Sequence, residues 1–182
     1  DLVRSRGLGD VYKRQNRARS GAIGGLEGGA ISRSQIEMTS VSLVLNRAAA
    51  DWGGFDLSAE GASTVTMEQC EILFNAAGGA CGAGHVEVGG ESLFEADTCY
   101  FLINHAGGDN GVGDFVLQDS SSIAFSDCRI ERNTASQDNG FGSVVADNES
   151  SVMFTDCSFT SNTARGGSNG VGQFDLATGS SM

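Results

Sequence analysis

Residues 99–106 read Cys-Tyr-Phe-Leu-Ile-Asn-His-Ala, and residues 128–135 read Cys-Arg-Ile-Glu-Arg-Asn-Thr-Ala. The two stretches share Cys, an apolar residue two positions on, Asn and Ala, at a step of 29 residues. The same columns extend both ways. Cys stands at 70, 99, 128 and 157, with Val41 in the Cys place of the earliest full repeat. Asn stands at 46, 75, 104, 133 and 162, and Ala follows two residues after each. Asn16-Arg17-Ala18 matches Asn46-Arg47-Ala48 at a step of 30, which marks an earlier repeat with a one-residue insertion. A fixed period of this length is the mark of a repeat architecture.

Three apolar stretches recur in every repeat. One precedes the Cys, as in Ile36/Met38, Val65/Met67, Phe94/Ala96, Ile123/Phe125 and Val152/Phe154. One is the Cys and the residue two on, as in Cys99/Phe101 and Cys128/Ile130. One follows a Gly cluster, as in Leu57/Ala59, Val86/Val88, Phe115/Leu117 and Val144/Ala146. Every pair is spaced by two, the alternation of a strand with one face buried. Short strands of this kind cannot bury that face alone. Stacking the repeats does so, each column meeting its own copy about 4.7–4.9 Å along the axis. The pattern predicts an all-β fold: a right-handed parallel β-helix (solenoid) of about five and a half coils of 29 residues, with three short strands per coil. Such a rod is on the order of 25 Å long.

The 182 residues include 27 Gly and no Pro. With 40% hydrophobic and 19% charged residues, the chain can build a core, which argues against a disordered linker. No apolar run reaches the roughly 18 residues of a membrane helix. Residues 1–15, DLVRSRGLGDVYKRQ, differ from the rest. They carry four of the 11 basic residues and two of the 23 acidic ones, which leaves 7 and 21 and a net charge of −14. The string resembles translated sequencing-adapter read-through at the ends of assembled transcripts. It is set aside here as a non-native segment, with a β-helix repeat domain expected over 16–182, truncated at both ends. Uncapped ends of a solenoid expose apolar, unpaired edges, so self-association is expected.

The columns Cys-x-[Ile/Phe]-x-x-Asn-x-Ala, with Gly-Gly pairs after the Ala, resemble right-handed β-helix repeats of the pectin-lyase-like superfamily. They also resemble the repeats of polymorphic outer-membrane proteins, whose Gly-Gly-Ala-Ile motif is matched by Gly28-Gly29-Ala30-Ile31. The resemblance spans 16–182 and implies the fold more than a function.

The repeated polar residues have structural readings. Asn46, Asn75, Asn104, Asn133 and Asn162 are expected to form a hydrogen-bonded ladder at a tight corner, where Asn tolerates a left-handed backbone. Cys70, Cys99, Cys128 and Cys157 are expected as a stack of buried free thiols, with Cβ vectors parallel rather than converging. Cys81 stands off that column. A Ser column, with Ser63, Ser92, Ser121 and Ser150, is expected to bond the backbone at another corner. The Gly-rich stretches, three with Asn-Gly, read as wide turns that use positive φ.

Candidate chemistry is sparse. Asp127, Arg129, Glu131, Arg132 and Asp156 gather near the Cys column. Two carboxylates on neighbouring coils make an acid/base pair conceivable, with an Arg to steady an anionic sugar. Asp127 and Asp156 recur in register, however, which favours surface acids with Arg129 and Arg132 as solvated ion partners. Asp109, Asp114 and Asp138 have the oxygen chemistry for Ca²⁺, although the Gly-Gly-x-Gly-x-Asp nonapeptide of calcium solenoids is absent and no other cofactor is indicated. The Asn-x-Asp, Asp-Asp, Gly-His-Gly and Arg-x-Lys motifs of β-helix polygalacturonases are missing. The negative charge disfavours nucleic acid. Asn148-Glu149-Ser150 is a glycosylation sequon at a turn. These observations favour a non-catalytic structural or adhesive segment of a larger extracellular or cell-surface protein, with carbohydrate or another surface protein as partner. The alternative is part of a carbohydrate-active β-helix, a polysaccharide lyase or glycoside hydrolase.

Overall fold

A computed structural model describes residues 25–167, 170–176 and 179–181, together with the backbone strands Leu8–Gly9, Tyr12–Arg14 and Arg17–Ala18. Every described element is a strand, and every strand pairing is parallel. The strands form four sheets of six. Sheet I holds Gln35–Thr39 and its copies, sheet II Ser42–Val44 and its copies, and sheet IV Phe55–Glu60 and its copies. These are the three strands of each coil that the apolar pairs predict. Sheet III, made of two-residue strands such as Arg47–Ala48, adds a short fourth rung between II and IV.

The register reproduces the sequence period. Val65 pairs with Phe94 and Phe94 with Ile123, each 29 residues on. The last coil steps by 30, Val144 meeting Phe174, so its extra residue is absorbed in the Gly-rich loop before the strand. Arg17 pairs with Arg47, also a step of 30. Leu8–Gly9 and Tyr12–Arg14, inside the segment set apart on sequence, extend sheets I and II.

Inward residues close into one core along the axis. Leu43, Ile72, Phe101 and Ile130 of sheet II meet Phe94 and Phe125 of sheet I and Leu57, Val86 and Phe115 of sheet IV, all at most 1% exposed. Phenylalanines concentrate toward the C-terminal coils, where Phe125 stacks on Phe154 with centroids 5.0 Å apart and Phe115 meets Phe125 edge-on at 5.4 Å. Such contacts add to the area term.

The corners depart from the expected chemistry. The left-handed residue is not the Asn but the one before it: Leu45, Phe74, Ile103, Arg132 and Ser161 have φ between 56° and 60°. A second corner before the Cys uses Ser40, Gln69, Thr98, Asp127 and Asp156, and a third uses Trp52, Cys81, Asn110 and Asn139. The left-handed conformation reverses the amide, so that Gln69 N–H donates forward to Asp97 O at 3.0 Å and Phe74 N–H to Leu102 O at 3.1 Å. The next residues donate backward again, as Glu71 N–H does to Val41 O at 2.9 Å. These forward bonds pair the reversed amides with the next coil and offset the backbone strain.

The loop glycines also have a different role from the one the sequence suggests. Gly53, Gly82, Gly111 and Gly140 do not sit at positive φ. They lie where coils touch: a Cβ on Gly111 would fall 2.3 Å from Gly140 O and 2.9 Å from Thr134 N. What the loop requires of these positions is the absence of a side chain, and the adjoining Asn110 and Asn139 take the left-handed turn.

Candidate functional site

The repeated polar residues are engaged between coils. Asn75 donates its backbone N–H and its Nδ2 to Asn104 Oδ1, both at 3.0 Å, and Asn104 does the same to Asn133 Oδ1 at 2.9 and 3.0 Å. Each amide also donates to a carbonyl of the preceding coil, Asn104 Nδ2 to Ile72 O at 2.9 Å and Asn133 Nδ2 to Phe101 O at 2.8 Å. Asn46 and Asn162 continue the chain at its two ends. Serines serve another corner: Ser63 N–H donates to Ser92 Oγ at 3.0 Å while Ser63 Oγ–H donates to Glu60 O at 2.6 Å.

Cys70, Cys99 and Cys128 are buried, Cys157 is half-buried, and all are free thiols. Each S–H points at backbone carbonyls, as Cys99 does at Asp97 O (3.2 Å) and Met67 O (3.4 Å). The adjacent thiols, Cys128 and then Cys70, together with burial, push Cys99 well above the ordinary thiol range. Cys81 belongs to the left-handed column of Trp52, Asn110 and Asn139, where burial first and the Asp114 charge second push its thiol up. Cys99 and Cys81 are therefore poor nucleophiles, since the thiolate is the reactive form.

The acidic and basic residues near the Cys column do not assemble. Asp127 and Asp156 are exposed corner residues with φ near 50°. Arg129 turns instead to Glu131 on its own strand, donating Nε and Nη2 to one carboxylate oxygen at 3.0 and 2.8 Å. Residues i and i+2 share a strand face, which is why this pair forms and the anticipated pairing with the two aspartates does not. Arg129 also reaches the Tyr100 ring, 6.0 Å from its centroid, and Arg132 occupies an exposed corner. Asp109 accepts the Asp138 backbone N–H at 3.0 Å in the loop stack, whereas Asp114 lies on the outer face of sheet IV. Among the described residues, no group of three or more His, Cys, Asp and Glu side chains has a metal-holding arrangement.

Among the described residues, a better-formed constellation lies elsewhere, on the outer face of sheet IV. There the outward column reads Glu27, Asp56, His85, Asp114 and Ser143, in register from coil to coil. His85 Nδ1 lies 2.9 Å from Asp56 Oδ1, and its ring stacks on Trp52, with centroids 5.0 Å apart at 23°. Trp52 reaches this position from a left-handed corner whose equivalents in the next coils are the buried Cys81, Asn110 and Asn139. Burial raises the Asp114 carboxyl, opposed by the nearby His85 and by a hydrogen bond from Ser143. Trp52, Asp56 and His85, with Glu27, Ser58 and Glu87, wall an open groove of about 600 Å³ whose floor includes Gly28 and Gly29. Gly29 presents no side chain to this face, and a Cβ there would lie 2.8 Å from Ser58 Oγ. The 29-residue spacing of Asp56, His85 and Asp114 was available in the sequence. The Trp52–His85 contact spans 33 positions and follows no column.

Four in-register parallel sheets wound around a single apolar core define a parallel β-solenoid. The family model for the right-handed beta helix region matches residues 30–179, and the chain belongs to that family. No curated protein and no solved structure shows a significant match.

Proposed function

We propose that this chain is a non-catalytic, structural and adhesive β-solenoid segment of a larger secreted or cell-surface protein. The observation that carries this reading is the fate of the repeated polar residues. The asparagines, the serines and several aspartates spend their hydrogen bonds on neighbouring coils, as Asn104 does with Ile72, Asn75 and Asn133. Residues of this kind hold a rod together and leave its outer columns to make contacts. Carbohydrate or another surface protein is the partner class that such a surface suits. The test is twofold. Beads coated with the full chain are expected to bind cells or extracellular matrix, and the chain is expected to release no product from pectin, alginate and neutral polysaccharides. Measurable product release, or beads that bind no better than uncoated ones, overturns the reading.

One observation favours a second reading, a carbohydrate-active solenoid. Asp114, its carboxyl raised by burial, stands one coil from His85 and two from Asp56, and a carboxyl raised by burial is a candidate general acid. On this reading, activity appears in the polysaccharide panel and disappears in Asp114→Asn.

A further inference from the structure

We infer that the groove beside Trp52 binds an organic cation, the guanidinium or ammonium side chain of a basic peptide segment. The inference rests on the adhesive reading and names the chemistry of its partner. The groove has an aromatic wall, since the Trp52 indole is held by its stack on His85 and lines the open space. Its other charged walls are the carboxylates of Glu27, Asp56 and Glu87, and among the described residues no Lys or Arg lines it. Glu27 and Glu87 are exposed, so they project toward a ligand. Asp56 is already turned to His85 and fixes the imidazole against the indole.

This combination selects by charge. A uronate, a phosphate or a nucleic acid meets three carboxylates and, among the described residues, no Lys or Arg. A bare metal ion needs converging ligands, which the described residues do not provide. An organic cation gains from both features, the face of the aromatic ring and the carboxylates around it. Guanidinium suits the site best, because its plane lies flat on an indole while its N–H groups reach carboxylates in the same plane. Gly29, on the outward side of its strand, presents no side chain to the groove and lets an extended chain approach the sheet.

Trp52 is the only tryptophan, so its emission reports on the groove directly. The probes are an acetylated, amidated tri-arginine peptide, its citrulline counterpart, a glucosamine oligomer and a neutral cello-oligosaccharide, each titrated into the full chain. Tri-arginine is expected to change Trp52 emission saturably, and the citrulline peptide is not. Replacing both exposed acids, Glu27→Gln with Glu87→Gln, is expected to weaken binding about five- to tenfold. By calorimetry, Trp52→Leu is expected to weaken it between about twofold and thirtyfold. Asp127→Asn with Asp156→Asn removes the same charge from a distant corner and is expected to change binding less than about twofold.

Four results overturn the assignment: no saturation below about 10 mM, equal binding of the citrulline peptide, equal weakening by the corner pair, or a preference for either oligosaccharide over the peptide. The bead assay, run on the Glu27→Gln, Glu87→Gln variant, separates this inference from the reading it rests on. Adhesion that survives the double substitution removes the groove and leaves the adhesive solenoid standing. Peptide binding with no adhesion does the reverse.

Discussion

Asn104→Ala tests how much of the rod is held by its amide column. The Asn104 side chain makes four hydrogen bonds: Oδ1 accepts from the backbone N–H and the Nδ2 of Asn75, and Nδ2 donates to Ile72 O and Asn133 Oδ1. Asn104 is 1% exposed, and Asn75 and Asn133 are fully buried. At about 1 kcal/mol net per bond the loss is about 4 kcal/mol. The truncation also strands the Asn75 N–H away from water, so relaxation recovers little of it. For a chain of this size that corresponds to a fall in Tm of roughly 8–16 °C. Asn162→Ala provides the graded comparison. Its side chain is half-buried and makes three such bonds, to Asn133 N–H, Asn133 Nδ2 and Ile130 O, so it is expected to cost less. The assay is urea unfolding followed by far-UV circular dichroism and by Trp52 emission, with coincident transitions required before a free energy is taken, because repeat arrays can lose two-state behaviour. The exposed neighbour His105→Ala is the control. A loss below about 1 kcal/mol for Asn104→Ala, or one no larger than that of Asn162→Ala, refutes the argument that these bonds hold the coils.

Gly111→Ala is expected to cost about 1–3 kcal/mol, because its Cβ meets Gly140 O at 2.3 Å, while Gly89→Ala, whose Cβ meets nothing within 4 Å, is expected to be nearly neutral; equal melting temperatures would contradict this. Burial lifts the Asp114 pKa above its ordinary 3.8, so this group favours folding at acid pH and loses that contribution as pH rises through the raised value. Asp114→Asn is therefore expected to gain stability relative to the parent as pH climbs from about 4 toward 7, and a constant difference in Tm across that range removes the argument. Burial and the carbonyl contacts of Cys70, Cys99 and Cys128 predict that an aromatic disulfide reagent titrates these thiols only after unfolding, and rapid labelling of all five cysteines in the native protein speaks against it.

Much of the fold was legible because a parallel stack in register turns sequence period into spatial neighbourhood. Residues 29 apart, such as Val65 and Phe94, become adjacent, and a column of like residues becomes a ladder. The corners were less legible. Phe74 and Ile103 are apolar, and Ile is β-branched, so local propensity points away from a left-handed backbone at either position. The conformation persists because the reversed N–H groups find carbonyls on the next coil, Phe74 at Leu102 O and Ile103 at Glu131 O. That gain is tertiary, and no window around residue 74 contains it. The glycines misled for the same reason, since the atom that excludes a side chain from Gly111 belongs to Gly140, one coil away.

The same logic separates structural residues from functional candidates. A residue that recurs at every coil answers a demand made by every coil. Asp127 and Asp156 hold a left-handed corner also held by Ser40, Gln69 and Thr98, and Asp readily accepts that conformation. Their recurrence needs no chemistry, and their exposure agrees with that. Departures from the pattern carry the opposite implication. Trp52 stands where other coils bury Cys or Asn, and His85 interrupts a column of oxygen side chains between Asp56 and Asp114. A half-buried indole is an uncommon occupant of a left-handed corner, where the next coils place Cys81, Asn110 and Asn139. Two such departures meet in one stacked pair over a bare glycine floor. The repeat accounts for the columns, so the reason for Trp52 and His85 lies outside the repeat, in what the groove receives.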